Sequence, residues 1–432
     1  MVRNGRTRER GMTLVEIMIT LVISSIIAAS TFMFFAGQQR IYETQTKLLN
    51  IQQNLWAAME VLTRYARASG SGMYECVRPA SFYNTTTDNG TRLLSTVPSP
   101  GPLTASLLVR PQVGVRAYDS VAGAMQWIPP LWIVNNSSDT GVLANTDIIS
   151  VAFGNRTSGT DVDATLALNL ATSGSGSAIS LTGVNTGNMF RLGEFILLLS
   201  TPNWGYGTNP TVDRGCTMFQ ITSNPANTTT LAHAANAVNS GDIVWNPASD
   251  VTGMIPAGGY VANSAGVRNF GQLTWVTFFV QTGSNGIPNL MMQQRHLAGT
   301  SGQPQVLAEG VEDLQVSFAC DTGSLNIYQL AGINGTLDEG ANDNSRQQDE
   351  WWNNVPGDVL PPINTDGFCN LPTAIRLTLV VRTLTPDDLI DAALTNNGPI
   401  DVEDHRYSPK PTDQFRRRVL TTTVYPRNNK PL

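Results

Sequence analysis

The sequence predicts an α+β fold, in which a long N-terminal α-helix packs on a mainly antiparallel β-sheet head with long loop insertions. Two observations predict it. No proline occurs from residue 12 to residue 68, where apolar residues recur at helical spacing. After residue 70 the chain is rich in Gly, Asn, Thr and Ser, and short apolar runs alternate with turn signals. The first half of the helix is apolar enough to span a membrane.

The composition excludes several classes of function. The chain has 432 residues, of which 41% are apolar and 14% are charged, and its formal net charge is -6. The apolar content excludes a disordered acidic chain, and the charge balance gives no reason to expect a nucleic-acid binder. No lysine follows a glycine and no histidine begins an H-E-x-x-H sequence, so neither a P-loop nor that zinc motif is present. We therefore expect no cofactor and no enzymatic activity.

The N-terminus combines a basic flank with an apolar segment. Residues 1–11 carry four arginines and one glutamate, and no charge occurs from Ile17 to Gln39. Those 23 residues would form a helix of about 35 Å, compared with about 30 Å of hydrocarbon in a bilayer. The basic flank predicts that residues 1–11 stay in the cytoplasm and that everything after the apolar segment lies outside.

The helical pattern continues beyond the apolar core of a secretory signal peptide, which argues against that alternative. Apolar residues recur at steps of seven, three and four, and so form one helical face. They are Ile41, Leu48, Ile51, Leu55, Met59, Leu62 and Ala66. The helix is predicted to end near Ala68, because a Ser-Gly-Ser-Gly sequence follows.

One acidic residue, Glu16, interrupts the apolar segment. A charge deep in a bilayer helix costs about 2.5–3.5 kcal/mol on insertion scales. Cleavage between Gly11 and Met12 would create an α-amino group one helical turn from the Glu16 carboxylate. The two opposite charges would then neutralise each other, within one chain or between neighbours. The alternative is a helix N-terminal charge near the membrane surface.

The residues around this glutamate resemble a known signal. The run Arg10-Gly11-Met12-Thr13-Leu14-Val15-Glu16 is similar to the class III signal of type IV prepilins and type II secretion pseudopilins. The resemblance implies that prepilin peptidase cuts after Gly11, that Met12 is then N-methylated, and that Glu16 guides incorporation through the preceding subunit's amino terminus. Met replaces the commoner Phe after the cut, and the helix lacks the proline of many major pilins. The predicted division is a cleaved leader at 1–11, a helix at 12–68 that is transmembrane over 12–36, and a head at 69–432.

The head is predicted from short apolar runs with β-branched residues. The candidate strands are 104–109, 147–153, 194–200, 217–222, 272–281, 289–294, 314–319, 374–382 and 416–425. Residues 282–288 contain turn residues and predict a hairpin between two of these strands. Polar stretches at 84–92, 155–188 and 332–354 are predicted to be surface loops or insertions.

Scattered stretches of the head resemble PilW-type minor pilins and, more distantly, the J-type pseudopilin of type II secretion. They are residues 147–151, 216–222, 307–316, 375–382 and 417–424, followed by Arg427-Asn428. The resemblance implies a structural subunit that helps to initiate and assemble a type IV pilus. Its implied partners are other minor pilins, prepilin peptidase, the inner-membrane assembly platform and the lipid bilayer. It also implies an inner-membrane location and later display on the pilus or cell surface. A J-type pseudopilin and a pilus-associated adhesin with a ligand-binding head are the alternatives.

Four cysteines lie in the part of the chain that is predicted to be exported, where disulfides can form. Three pairings are possible. We favour Cys320–Cys369, which would tie a long polar insertion to the strands around it, and this leaves Cys76–Cys216. Reduced, buried cysteines are the alternative.

Two charged clusters in the head could bind a ligand. An acidic loop that includes Asp338, Glu339 and Asp343 is a weak calcium candidate, and its spacing differs from that of an EF-hand. A solvated loop is the simpler interpretation. A basic cluster of Arg406, Lys410 and 416–418 could contact DNA or an acidic partner, although a charged strand face is the simpler interpretation. His405 lies beside it without a visible nucleophile, so we expect no catalytic role.

Overall fold

The chain is described here by a computed structural model. The described residues are 13–72, 82–85, 115–119, 124–128, 131–137, 141–155, 170–171, 178–181, 187, 189–199, 217–225, 230–232, 246, 266–294, 303–320, 351–352, 372–386, 402–403, 405 and 413–426.

Helix α1 (Leu14–Ala68) confirms the long N-terminal helix. It ends where Gly70 takes a left-handed φ of 70°. There the amides of Ser69 and Ser71 donate to the carbonyls of Ala66 and Ala68 at 3.2 and 2.9 Å. Glycine adopts this conformation without a steric cost, because it has no Cβ. The chain divides into two compact units between Gln53 and Asn54, so residues 54–68 of α1 belong to the same unit as the head.

The strands of the head are short, apart from β5, β11, β14 and β16. They are β1 (Phe82–Thr85), β2 (Val115–Asp119), β3 (Ala124–Ile128), β4 (Leu131–Ser137), β5 (Thr146–Asn155), β6 (Leu170–Ala171), β7 (Ala178–Leu181), β8 (Phe195–Leu199), β9 (Thr217–Gln220), β10 (Thr230–Ala232), β11 (Gly266–Thr282), β12 (Pro288–Gln294), β13 (Gln305–Glu309), β14 (Val311–Cys320), β15 (Trp351–Trp352), β16 (Pro372–Arg382) and β17 (Arg417–Val424).

Strand β11 organises the largest sheet, which has ten strands. Its first part pairs with β8, and its second part pairs with β5 on one side and β12 on the other. The register shifts between Asn269 and Gly271, where Gly271 has a φ of 79°. Such a bulge bends a strand, so one strand serves two parts of the sheet. The path through the sheet is β1-β4-β5-β11-β8-β9-β2-β3, with β12 and β13 attached beside β11.

A second sheet contains the C-terminal strands in the order β15-β14-β16-β17, and a three-stranded sheet has the order β10-β7-β6. All pairings in these two sheets are antiparallel. In the large sheet, the pairs β1–β4 and β2–β9 are parallel. The predicted α+β fold with a mainly antiparallel head is therefore confirmed.

Eight of the nine predicted strands coincide with observed strands, with ends that differ by at most six residues. The hairpin is confirmed as well, since β11 and β12 pair up to Thr282 and Pro288. The predicted strand at 104–109 lies outside the described residues. All three predicted loops were wrong in part, because residues 84–85 belong to β1, β6 and β7 form within 155–188, and β15 forms within 332–354. Strand β6 pairs with β7, β7 also pairs with β10, and β15 pairs with β14, but local polarity concealed these pairings.

The C-terminal part of α1 packs on the large sheet. Leu55, Met59 and Leu62 are buried, and the ring of Tyr65 contacts those of Phe153 and Phe278 at centroid distances of 5.9 and 5.4 Å. Burying one such aliphatic side chain stabilises a fold by about 1.5–3 kcal/mol. The chain after the helix then joins β5, since Gly70 N donates to Ala152 O at 3.0 Å and Gly154 N to Ser71 O at 2.8 Å.

A buried carboxylate joins the two larger sheets. Asp147 of β5 accepts a hydrogen bond from the amide of Val316 in β14 at 2.7 Å, and another from the amide of Asn136 at 2.8 Å. Its side chain has no exposed surface. The carboxylate takes the place that a neighbouring strand would occupy along this part of β14. Its two accepted bonds supply the partners that a buried charge requires.

Candidate functional site

The candidate site is the exposed surface of α1, and it begins with a reciprocal cap. The amide and the hydroxyl of Thr13 donate to Glu16 Oε2 at 2.9 and 3.0 Å, and the amide of Glu16 donates to Thr13 Oγ1 at 3.3 Å. This is a capping box, in which two side chains satisfy amides that the first helical turn leaves without partners. It holds the Glu16 carboxylate at the N-terminal end of α1. Gly11 and Met12 lie outside the described residues, so the approach of an α-amino group stays a prediction.

The hydroxyl groups of the apolar segment are satisfied within the helix. Thr20, Ser24 and Ser30 donate to carbonyls four residues earlier at 2.9, 2.6 and 2.8 Å, and Ser25 and Thr31 make similar bonds. These bonds remove the need for water along the segment. Glu16 is therefore the one ionisable group between residues 14 and 39 that needs a partner in an apolar environment.

The apolar side chains of this segment are exposed in the isolated chain. Leu14, Met18, Leu21, Phe32 and Met33 each leave at least 60% of their surface uncovered. Among the described residues, α1 is the helix with the length and apolar composition needed to cross a membrane. A continuous apolar surface of this kind requires lipid or the apolar surface of other helices.

A second apolar stripe continues along the polar half of α1. Phe35, Tyr42, Leu49 and Trp56 follow at intervals of seven residues, and each is between 56% and 70% exposed. A seven-residue interval places side chains nearly above one another on a helix, which is the spacing of contacts between two long helices. Around Trp56 the helix therefore presents two apolar faces, because Leu55 and Met59 face the head while Trp56 faces outward.

One residue of the basic cluster near the C-terminus, Arg417, is part of the fold. The side chain of Arg417 is only 3% exposed, and its guanidinium binds Glu312 and Asp413. Burial alone would lower the pKa of Arg417, but these hydrogen bonds raise it above its ordinary value. The hydrogen bond from Arg417 holds the pKa of Asp413 below its ordinary value. Arg418 is exposed, whereas Arg406 and Lys410 lie outside the described residues.

The structure places His405 in a polar contact with β14. Its Nδ1 lies 2.7 Å from Asp313 Oδ2 and 3.5 Å from the Gln315 amide. The neighbouring Glu403 adopts a φ of 50°, and its carboxylate accepts hydrogen bonds from Ser317 and Thr378. Sequence analysis missed this cluster, because its members are distant in the chain and the buried acids of β14 follow no motif.

The remaining candidate residues lie beyond the described part of the chain. These are Cys76, Cys216, Cys369, Asp338, Glu339 and Asp343, and of Cys320 only the backbone within β14 is described. Both the disulfides and the calcium loop therefore stay predictions. The described residues contain no group of three or more His, Cys, Asp or Glu side chains that could hold a metal ion.

Comparison with known families matches two parts of the chain. Residues 277–428 match the family model of the type IV pilus-assembly protein W, and residues 6–32 match the prokaryotic N-terminal methylation motif. No curated protein and no solved structure matches the chain. The first match contains the C-terminal part of β11, strand β12 and all strands of the C-terminal sheet, and the second contains the capped start of α1. Together these two matches support a likeness to type IV pilin-like proteins of the PilW type.

Proposed function

We propose that this protein is a minor pilin that helps to initiate a type IV pilus, after cleavage and N-methylation by prepilin peptidase. The observation that carries the proposal is the start of α1, where the methylation motif coincides with the capping box of Thr13 and Glu16. In this proposal residues 1–11 are the leader, residues 12–68 are the assembly helix, and residues 69–432 are the head. Gly11 precedes the cut, and Met12 carries the methylated amine.

The chemistry of Glu16 supports a role in assembly. Its carboxylate is exposed in the isolated chain, although it lies within an apolar segment. Transfer into an assembled bundle of helices would remove it from water, so a positive partner is needed. The amine of Met12 in a neighbouring subunit supplies that charge. The apolar side chains between residues 14 and 35 supply the packing surface, first for lipid and then for other helices.

The proposed path runs from the inner membrane to the pilus. Residues 12–36 hold the chain in the membrane, with the head outside the cytoplasm. The subunit then joins other minor pilins at the assembly platform through α1, and the head determines which neighbours fit beside it.

Two measurements test the proposal, namely the identity of the native N-terminus and the amount of pilus that the cells assemble. Mass spectrometry of the protein from its own cells should find a chain that begins with N-methylated Met12, and Gly11→Ala should retain the leader. Glu16→Gln should leave membrane insertion intact and reduce piliation. Glu60→Gln, at an exposed position on the same helix, is the control and should assemble normally. A native chain that begins elsewhere, or full piliation with Glu16→Gln, would contradict the proposal.

A further inference from the structure

The edge strand β17 offers an open backbone surface. It ends the sheet β15-β14-β16-β17 and is eight residues long, whereas the other described strands at sheet edges have at most five. Within the described part of the chain, β17 pairs with β16 alone. A long edge strand presents backbone groups that another chain can bind.

The register shows which groups point outward. The amide of Thr383 donates to the carbonyl of Arg416 at 2.9 Å, and eight residue pairs follow without a shift. Hydrogen-bonded and non-hydrogen-bonded pairs alternate along an antiparallel ladder. The amides and carbonyls of Val419, Thr421 and Thr423 therefore point away from β16, toward the open edge.

Two of the usual protections of an edge, a proline and a bulge, are missing along this strand. Residues 417–424 contain no proline, and their register shows no bulge. Strand β14 differs in this respect, because the amide of Val316 that points away from β16 donates a hydrogen bond to the carboxylate of Asp147. The buried Arg417 is bound to Glu312 and Asp413, so Arg418 is the charge of β17 that faces solvent.

The exposed side chains define what could bind. Val419 and Tyr425 are 42% and 61% exposed, and their even separation places them on one side of the strand. Arg418 lies on the other side. A strand added here would place apolar side chains beside Val419 and Tyr425, and a carboxylate beside Arg418.

We propose that β17 is a docking edge for an extended segment of another protein, which adds to the sheet as a fifth strand. The segment alternates apolar residues and carries a carboxylate next to Arg418. A second copy paired through its own β17 fits less well, since residues 419–425 contain no acid to place beside Arg418. The inference concerns the head and does not depend on processing of the N-terminus.

The first experiment identifies the occupant. A photo-crosslinking residue replaces Tyr425 in the full-length protein in its own cells, with Val306 as the control on the short edge strand β13, where 53% of the side chain is exposed. We expect a crosslink at Tyr425, and not at Val306, to an extended segment of another protein in which apolar residues alternate and one residue is acidic. A crosslink to a second copy, to residues of the same chain or to no protein would overturn the proposal.

The second experiment tests backbone pairing. Val419→Pro removes one outward amide and leaves the ladder to β16 intact, because proline is tolerated where an edge amide faces solvent. It should reduce the Tyr425 crosslink by about tenfold, while Val419→Thr keeps the amide and should change it less than about twofold. If the proline variant folds poorly, Arg418→Glu tests the proposal instead, because it reverses the charge that should attract the carboxylate. It should also reduce the crosslink by about tenfold. Unchanged crosslinking in a folded Val419→Pro protein, or in Arg418→Glu, would exclude strand addition.

Discussion

The guanidinium of Arg417 on β17 reaches across β16 to the carboxylate of Glu312 on β14. The Nε and Nη2 atoms donate to the two carboxylate oxygens at 2.5 and 2.9 Å. A second carboxylate, of Asp413, accepts from Nη1 and Nη2 at 2.6 Å each. The planar guanidinium thus connects two strands that are not neighbours with the segment before β17. Such fork-shaped contacts are stronger and more specific than single hydrogen bonds.

Replacement of Arg417 should destabilise the head. Arg417→Ala leaves the carboxylate of Glu312 without its main partner, so we expect the free energy of unfolding to fall by about 2–4 kcal/mol. Arg417→Lys should lose less, because an ammonium group keeps the charge but lacks the fork. Urea unfolding measures both. Arg418→Ala, at the exposed neighbouring position, is the control and should stay within about 0.5 kcal/mol of wild type.

A fall in pH should remove the contribution of Asp413 to the stability of the head. Its pKa is lower in the folded chain than the ordinary value of 3.8, mainly because Arg417 donates to it. A carboxyl group whose pKa is lower in the folded state stabilises the fold at any pH above its pKa in the unfolded chain. This stabilisation disappears as the pH falls through the pKa of the folded state. The difference in unfolding free energy between wild type and Asp413→Asn should therefore shrink between about pH 6 and about pH 2. A difference that stays constant over this range would show that the carboxylate charge is unimportant.

Asp147 should be essential for the junction between the sheets. Asp147→Ala leaves the amides of Val316 and Asn136 without acceptors in a buried site, which costs about 1–3 kcal/mol for each. Asp147→Asn keeps one acceptor oxygen, so it should lose less stability than Asp147→Ala. Thermal unfolding of the purified protein provides the measurement. Glu309→Ala on the exposed side of β13 is the control, and equal losses in this variant and in Asp147→Ala would contradict the assignment.

Substitutions on the two apolar faces of α1 near Trp56 should affect assembly and stability separately. Trp56→Ser removes an exposed side chain, so it should leave the melting temperature of the protein nearly unchanged but reduce piliation. Leu62→Ala removes a side chain that is 1% exposed, and it should cost about 2–5 kcal/mol of stability. Melting curves and pilus counts on the two variants check the separation. Normal piliation with Trp56→Ser would mean that the outward stripe has no partner.

Several elements could be predicted because their signals are local. The hairpin of β11 and β12 follows from a turn sequence between two apolar runs, and β16 follows from β-branched alternation. Strand β2 was missed, since Val115–Asp119 has a mixed composition and owes its conformation to pairing with β3 and β9. The same holds for β6 and β7, which form in a region that polarity assigns to loops.

The sequence by itself determined the parts of this protein that depend on neighbours within a few residues. The spacing from Gly11 to Glu16, the length of α1 and its end at Ala68 need no distant partner, because a helix is built from contacts three and four residues apart. The tertiary structure decided the contacts of Asp147 with Val316 and of Arg417 with Glu312, which join residues 169 and 105 positions apart. It also decided that β17 lies at an open edge, since strand order follows from packing between distant segments and no local pattern encodes it.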